Sequence, residues 1–172
     1  NDGSIVTYVS SPSFSVNKIA NGLTQNEFDE LINDDDKPFF DRAAQGRYSP
    51  ASTIKPAIGL FGIDKDILDW EYTIQDPGFF ILPEDGRIYR GWKKGGHGEI
   101  NLKDAIIESS NTFFFSLAYQ TEIEELRAHL SNFGFGKNVC DDCFMPDNGL
   151  LPSPRWKMNT HNFGWFKGDT VN

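Results

Sequence analysis

From Ser52 onward the chain carries an apolar stretch, Ile54, Ala57, Ile58, Leu60 and Phe61, that reads as a buried helix. Such a helix needs a core around it, and 15 Phe, 4 Trp and 5 Tyr among 172 residues can fill a sizeable one. No apolar run approaches the roughly eighteen residues that would span a bilayer. The longest aromatic cluster, Phe113-Phe114-Phe115, is interrupted by Ser116. At 38% hydrophobic and 24% charged the composition is globular, and the length suits one domain of ordinary size. Sixteen Lys and Arg stand against 25 Asp and Glu, a formal charge of −9, which excludes a nucleic-acid binder working by bulk charge.

Local signals place elements around that helix. Ser4 to Ser10 alternates like a β-strand and Ser11-Pro12-Ser13 closes it. Thr24-Gln25-Asn26-Glu27 matches a capping box, and Phe28, Leu31 and Ile32 at i, i+3, i+4 predict a helix over Gln25 to Asn33, ended by Asp34-Asp35-Asp36. Residues 41–50 form a polar connection. Residues 70–100, with Asp76-Pro77-Gly78 and Gly95-Gly96-His97-Gly98, predict extended and looped structure. Asn101 looks like a helix N-cap. The helix it starts must break near Glu108-Ser109-Ser110-Asn111, where Ser110 or Asn111 can cap a second helix through Phe114, Leu117 and Ala118. A third runs from Glu122 to about Phe133 and stops at Gly134. Residues 137–172 read as loop-like, with His161 in a loop and His129 on a helix surface or core edge. The chain starts at Asn1 without a basic or apolar leader pattern and stops without a terminal helix. The expectation is a segment of a longer protein, with any targeting signal outside it.

Ser52-Thr53-Ile54-Lys55 is a Ser-x-x-Lys at the mouth of the apolar helix, a spacing that puts both side chains on one face. A lysine whose pKa is lowered by burial can take the serine proton, and a helix N-terminus offers amides and partial positive charge to an oxyanion. Pro56 suits the first turn, where amides lack helical acceptors in any case. The motif by itself is unspecific, since about one copy is expected by chance in a chain of this length. A second copy, Ser15-Val16-Asn17-Lys18, follows a turn and precedes no apolar helix, so nothing would hold its lysine near its serine. Ser109-Ser110-Asn111 is a Ser-x-Asn set between two helices, able to relay a proton and to hydrogen-bond an amide substrate, or simply to cap.

With both motifs in order, the chain resembles the penicillin-binding protein transpeptidases, most closely the elongation-specific penicillin-binding protein 2 family. The likeness runs from Gly3-Ser4-Ile5-Val6 and Ser10-Ser11-Pro12-Ser13-Phe14 through Arg42-Ala43-Ala44-Gln45-Gly46, Ser52 to Pro56 and Asp76-Pro77-Gly78. It continues through Trp92-Lys93-Lys94, Gly96-His97-Gly98, Glu108 to Phe114 and Gly168-Asp169-Thr170. The Trp-Lys-Lys and Gly-His-Gly stretch separates this group from its division-specific relative. The resemblance implies an α/β (α+β) fold of the penicillin-binding protein and serine β-lactamase type. Residues 1–172 would be the N-terminal, mostly helical portion of a single transpeptidase domain.

It also implies the chemistry. Ser52 would attack the D-Ala-D-Ala amide of a peptidoglycan stem peptide, with Lys55 as base and no cofactor required. Ser109 and Asn111 would assist proton transfer and bind the stem together with Ser52. A second stem's amine would resolve the acyl-enzyme, and β-lactams would acylate Ser52 as mimics. The protein would be tethered to the bacterial inner membrane, facing the periplasm, beside a RodA-type glycan polymerase and the scaffold MreC.

Departures from the family matter as much. No Lys is followed by Thr-Gly or Ser-Gly, so the third family motif is absent, and with it a strand that supplies an oxyanion amide. Losing one such donor costs about 100- to 1,000-fold, so the segment alone is expected to be poorly active or inactive. Some members hold zinc with two Asp, one His and one Cys. Here Asp76 and His97 match, but Gly91 and Ser110 stand where the second Asp and the Cys would be, which leaves two of four ligands. The expectation is that Asp76 and His97 hydrogen-bond each other and organise the 76–98 loop. Cys140 and Cys143 could form a short-range disulfide or remain free thiols; a zinc or redox pair has no supporting context. A penicillin-sensing or non-catalytic binding module of the same fold is the alternative function.

Overall fold

In a computed structural model, the structure describes residues 4–140, 143 and 145–171. Asn1 and Gly3 lie outside them. The chain divides into two compact units, Asn1–Tyr48 with Asn138–Gly149, and Ser49–Lys137 with Leu150–Asn172.

In the first unit, α1 (Val16–Ala20) begins at Ser15, whose side chain accepts from the Lys18 amide. The second Ser-x-x-Lys is therefore a helix cap. The capping box forms as read: Thr24 and Glu27 satisfy each other's amides and start α2 (Gln25–Asn33). Phe39 packs against Phe14 and Phe28, at centroid distances of 4.8 and 6.2 Å. Arg47 grips Asp147 through two parallel hydrogen bonds of 2.8 and 2.9 Å, and Cys140 is disulfide-bonded to Cys143. The strand expected over residues 4–10 is absent. Its alternation is a strand pattern, but the strands among the described residues pair only with one another, and a strand without a partner has no ladder to join.

The second unit opens with a 3-10 turn, Ala51–Ile54, that runs into α3 (Lys55–Asp64), with Pro56 in the first turn. Strands β1 (Thr73–Asp76), β2 (Phe79–Ile81), β3 (Ile88–Arg90) and β4 (Gly98–Asn101) form two antiparallel ribbons. β1 pairs with β4 so that Asp76 faces Gly98, and β2 pairs with β3. Asn101 caps α4 (Leu102–Ile107) by accepting from the Asp104 amide, and Ser110 caps α5 (Asn111–Tyr119). α6 (Ile123–Asn132) comes after Glu122.

Two apolar clusters hold these elements. One joins Leu68, Ile100, Leu102, Ala105, Phe113, Phe114 and Leu117, and the other sets Phe61 of α3 against Leu126 and Leu130 of α6. α3 is not buried all round: Phe61, Gly59 and Gly62 face inward while Leu60 is exposed. Gly59 lets Leu102 of α4 approach closely, since a Cβ there would sit 2.8 Å from Leu102 Cδ1.

The loop-like reading of 137–172 is corrected by two helices, α7 (Pro154–His161) and α8 (Lys167–Val171). Ser153 caps α7 by accepting from the Trp156 amide, and Pro154 occupies the first turn. Ser-Pro is a helix start as readily as a turn. His161 is the last residue of α7 rather than a loop residue. In α8, Gly168 and Val171 are buried, and Lys167 bonds the Thr121 carbonyl and Glu122.

Candidate active site

Four polar residues foreseen as a site meet at the junction of the 3-10 turn, α3 and the break between α4 and α5. Ser52 is exposed in the 3-10 turn. Lys55, three residues on, is the first residue of α3 and is 8% exposed. Its Nζ donates to the Ser109 carbonyl at 2.8 Å, to Ser109 Oγ at 3.1 Å and to Asn111 Oδ1 at 2.6 Å. The Ser109 hydroxyl donates onward to Ser52 Oγ at 2.9 Å. The lysine is thus linked to Ser52 through Ser109, a bridge that the sequence spacing did not foretell.

The Ser-x-Asn turn delivers these groups because of its backbone. Ser109 has φ +54°, a left-handed conformation that costs a non-glycine residue about 1–2 kcal/mol. It reverses the chain between helices so that residues 109 and 111 both face Lys55. Ser110 between them points away into the protein, fully buried, its Oγ accepting from the Phe113 amide. Burial lowers the Lys55 pKa, since a cation loses hydration there. The Phe114 ring lies 5.4 Å from Nζ.

Behind the turn, Asp76 at the end of β1 is buried. Its Oδ2 accepts from the Ser110 hydroxyl and lies 2.7 Å from both Ser110 Oγ and His97 Nδ1, while Oδ1 accepts from the Gly78 amide at 2.7 Å. Burial alone would raise the Asp76 pKa, but hydrogen bonds from His97, Ser110 and Gly78 outweigh it and hold the pKa below its ordinary value. The expected Asp76–His97 hydrogen bond is present. Trp92 packs edge-on to His97 at 5.7 Å and donates from Nε1 to the Glu108 carbonyl at 3.0 Å. Sequence reasoning treated Ser110 as a cap or an empty ligand position. Its link to Asp76 spans 34 residues, and only the folded chain could reveal it.

These residues do not fit a tetrahedral zinc site. His97 Nε2 is buried without a hydrogen-bond partner and so has a nitrogen to offer. The Asp76 carboxylate, however, is already engaged at both oxygens, Gly91 offers no ligand, and a hydroxyl replaces the thiolate. No group of three or more His, Cys, Asp or Glu is placed to hold a metal among the described residues.

The family model described as "Penicillin binding protein transpeptidase domain" matches residues 1–172. Peptidoglycan D,D-transpeptidase MrdA of Acinetobacter baumannii is 42% identical over 169 residues, covering 98% of this chain and 25% of that protein. Crystalline Pseudomonas aeruginosa PBP2, in complex with WCK 5153, superimposes with a TM-score of 0.84 at 36% identity, over 95% of this chain and 37% of that one. Helicobacter pylori PBP2, solved in complex with MreC, gives a TM-score of 0.79 at 32% identity, over 87% and 28%. The chain spans about a quarter of the length of the curated relatives it matches.

Proposed function

The chain belongs to the penicillin-binding protein transpeptidase family, and on that premise we propose that the protein carrying it is a peptidoglycan D,D-transpeptidase of cell-wall elongation. The observation that carries this reading is the continuous link from Lys55 Nζ through Ser109 Oγ to Ser52 Oγ. With Lys55 charged, the donors run outward from the ammonium. When Lys55 loses its proton, the two hydroxyls rotate: Ser52 donates to Ser109, and Ser109 donates to the amine. Ser52 Oγ then attacks the carbonyl carbon of the D-Ala-D-Ala amide as its proton passes through Ser109 to Lys55. The C–N bond breaks, the proton is returned along the same path to the leaving D-Ala nitrogen, and an ester remains on Ser52. The amine of a neighbouring stem peptide attacks that ester, loses a proton to the relay, and Ser52 regains its hydroxyl.

Asn111 steadies Lys55 at 2.6 Å and, with Ser109, would hold the stem. β-lactams would form the same ester, without release of a leaving group. A chain without the Lys-Thr-Gly or Lys-Ser-Gly motif lacks one oxyanion donor and would acylate poorly by itself. MreC is a natural partner to test, because a relative 32% identical was solved with it; a RodA-type polymerase and a periplasmic location at the inner membrane belong to the same proposal. Among the described residues no helix is long and apolar enough to cross a membrane.

The test is labelling of the full-length protein with a fluorescent penicillin. A stable adduct is expected in the unsubstituted protein and none in Ser52→Ala. Equal labelling of both would overturn the assignment of Ser52, and labelling without cross-linking of stem peptides would point to a penicillin sensor instead.

A further inference from the structure

The turn bearing Ser109 and Asn111 is strained at Ser109 and must be held from outside to keep its shape. Neither residue 109 nor 111 reaches the protein interior; Ser110 does, with 0% exposure, and its hydroxyl is shared between the Phe113 amide and Asp76. Asp76 is itself fixed at every reachable atom. Its Oδ1 takes the Gly78 amide, its Oδ2 takes Ser110 and faces His97, and its carbonyl takes the His97 amide at 3.1 Å. A second tie, from Trp92 Nε1 to the Glu108 carbonyl, secures the residue just before the turn.

We propose that Asp76, braced by His97, is a positioning residue: through Ser110 it sets the turn from which Ser109 and Asn111 grip Lys55. This rests on the acyltransferase reading above. The carboxylate touches no reacting atom. A charged acceptor makes a stronger hydrogen bond to a buried hydroxyl than a neutral one. Its loss leaves the buried Ser110 hydroxyl proton without its acceptor and Oγ held by the Phe113 amide alone, and the displacement passes directly to the backbone on either side. The three hydrogen bonds from Lys55 Nζ then lengthen together, which slows proton transfer, and the same shift moves Ser109 and Asn111, the two groups proposed to hold the stem. A hydrogen-bonded cluster of Asp76, His97 and Ser110 would thus brace the turn by itself.

The test uses the full-length protein and a fluorescent penicillin, with the acylation rate constant separated from the dissociation constant of the reversible complex by varying penicillin concentration. Asp76→Asn and Ser110→Ala are each expected to slow acylation about tenfold, the loss of one hydrogen bond to a charged group, with a smaller change in the dissociation constant than in the rate constant. The double variant is expected to be no slower than either single, because both act through one bond. A merely structural role predicts a multiplied loss, or a change confined to reversible binding with the acylation rate constant unmoved, and either result overturns the proposal. If Asp76→Asn fails to fold, Ser110→Ala decides alone: a folded variant acylating at the parent rate overturns it. Absence of labelling in the unsubstituted protein overturns the acyltransferase reading and this inference with it, whereas unchanged rates in the variants overturn the positioning role only.

Discussion

Ser109→Ala removes one oxygen from the point where Lys55 and Ser52 are joined. The perturbation is narrow. Lys55 keeps the Ser109 carbonyl at 2.8 Å and Asn111 Oδ1 at 2.6 Å, so its amine stays in place, and only the 3.1 and 2.9 Å steps of the relay disappear. Alanine and serine carry the same Cβ, so the cost of the left-handed backbone is unchanged. Stability should therefore move by no more than about 1 kcal/mol, the net value of an ordinary hydrogen bond. The rate should fall far more. A positioned proton-transfer group contributes about 100- to 10,000-fold, which is about 3–5 kcal/mol of barrier. Acylation of the full-length protein by a fluorescent penicillin, with a thermal melt alongside, reads both quantities. Ser109→Gly is the control: it deletes the same hydroxyl while relaxing φ +54°, so it should be equally slow and no less stable. If Ser109→Ala acylates within about threefold of the parent at an unchanged melting temperature, the relay is wrong and Lys55 takes the Ser52 proton without it.

The same geometry leads to three further outcomes. The acylation rate should rise with pH as Lys55 loses its proton, with a midpoint below the ordinary lysine value because burial lowers its pKa. The corresponding stability contribution is complete above the unfolded pKa and declines as pH falls through the lowered one. A pH–rate profile centred at or above the ordinary lysine value would contradict this. Phe61→Ala, at a fully buried position against Leu126 and Leu130, should cost about 3–5 kcal/mol, seen as a lowered denaturation midpoint. Gly96→Ala would place a Cβ 2.0 Å from the Asp76 carbonyl oxygen and 2.4 Å from the Gly78 nitrogen, at φ +74°. Both atoms are backbone and cannot step aside, so this variant should lose at least about 2 kcal/mol and acylate slowly as Asp76 shifts. Parent-like melting and labelling would show that the loop yields more easily than its geometry implies.

Local structure was legible wherever a few neighbouring residues decide it. The capping box at Thr24, the Asn101 cap, the break at residues 108–111 and the helix ending near Phe133 were all readable, because capping and periodicity act over three or four residues. The two misreadings have equally physical causes. Residues 4–10 carry a strand pattern, but a strand requires a partner that no local pattern supplies. Ser153-Pro154 starts a helix or makes a turn on the same residue types, and the packing of the residues after Pro154 decides between them.

The sequence by itself determined which residues are the candidates for the chemistry: Ser52 with Lys55 at the mouth of an apolar helix, and Ser109 with Asn111 in a small-residue break, in the order of a known family. Only the tertiary structure decided how they are wired. Lys55 is joined to Ser52 by way of Ser109, and Asp76 reaches the turn through Ser110 across 34 residues. Side-chain spacing along one helix fixes which faces coincide, but a hydrogen bond between segments depends on the packing that brings them within about 3 Å, and that is set by the whole core at once.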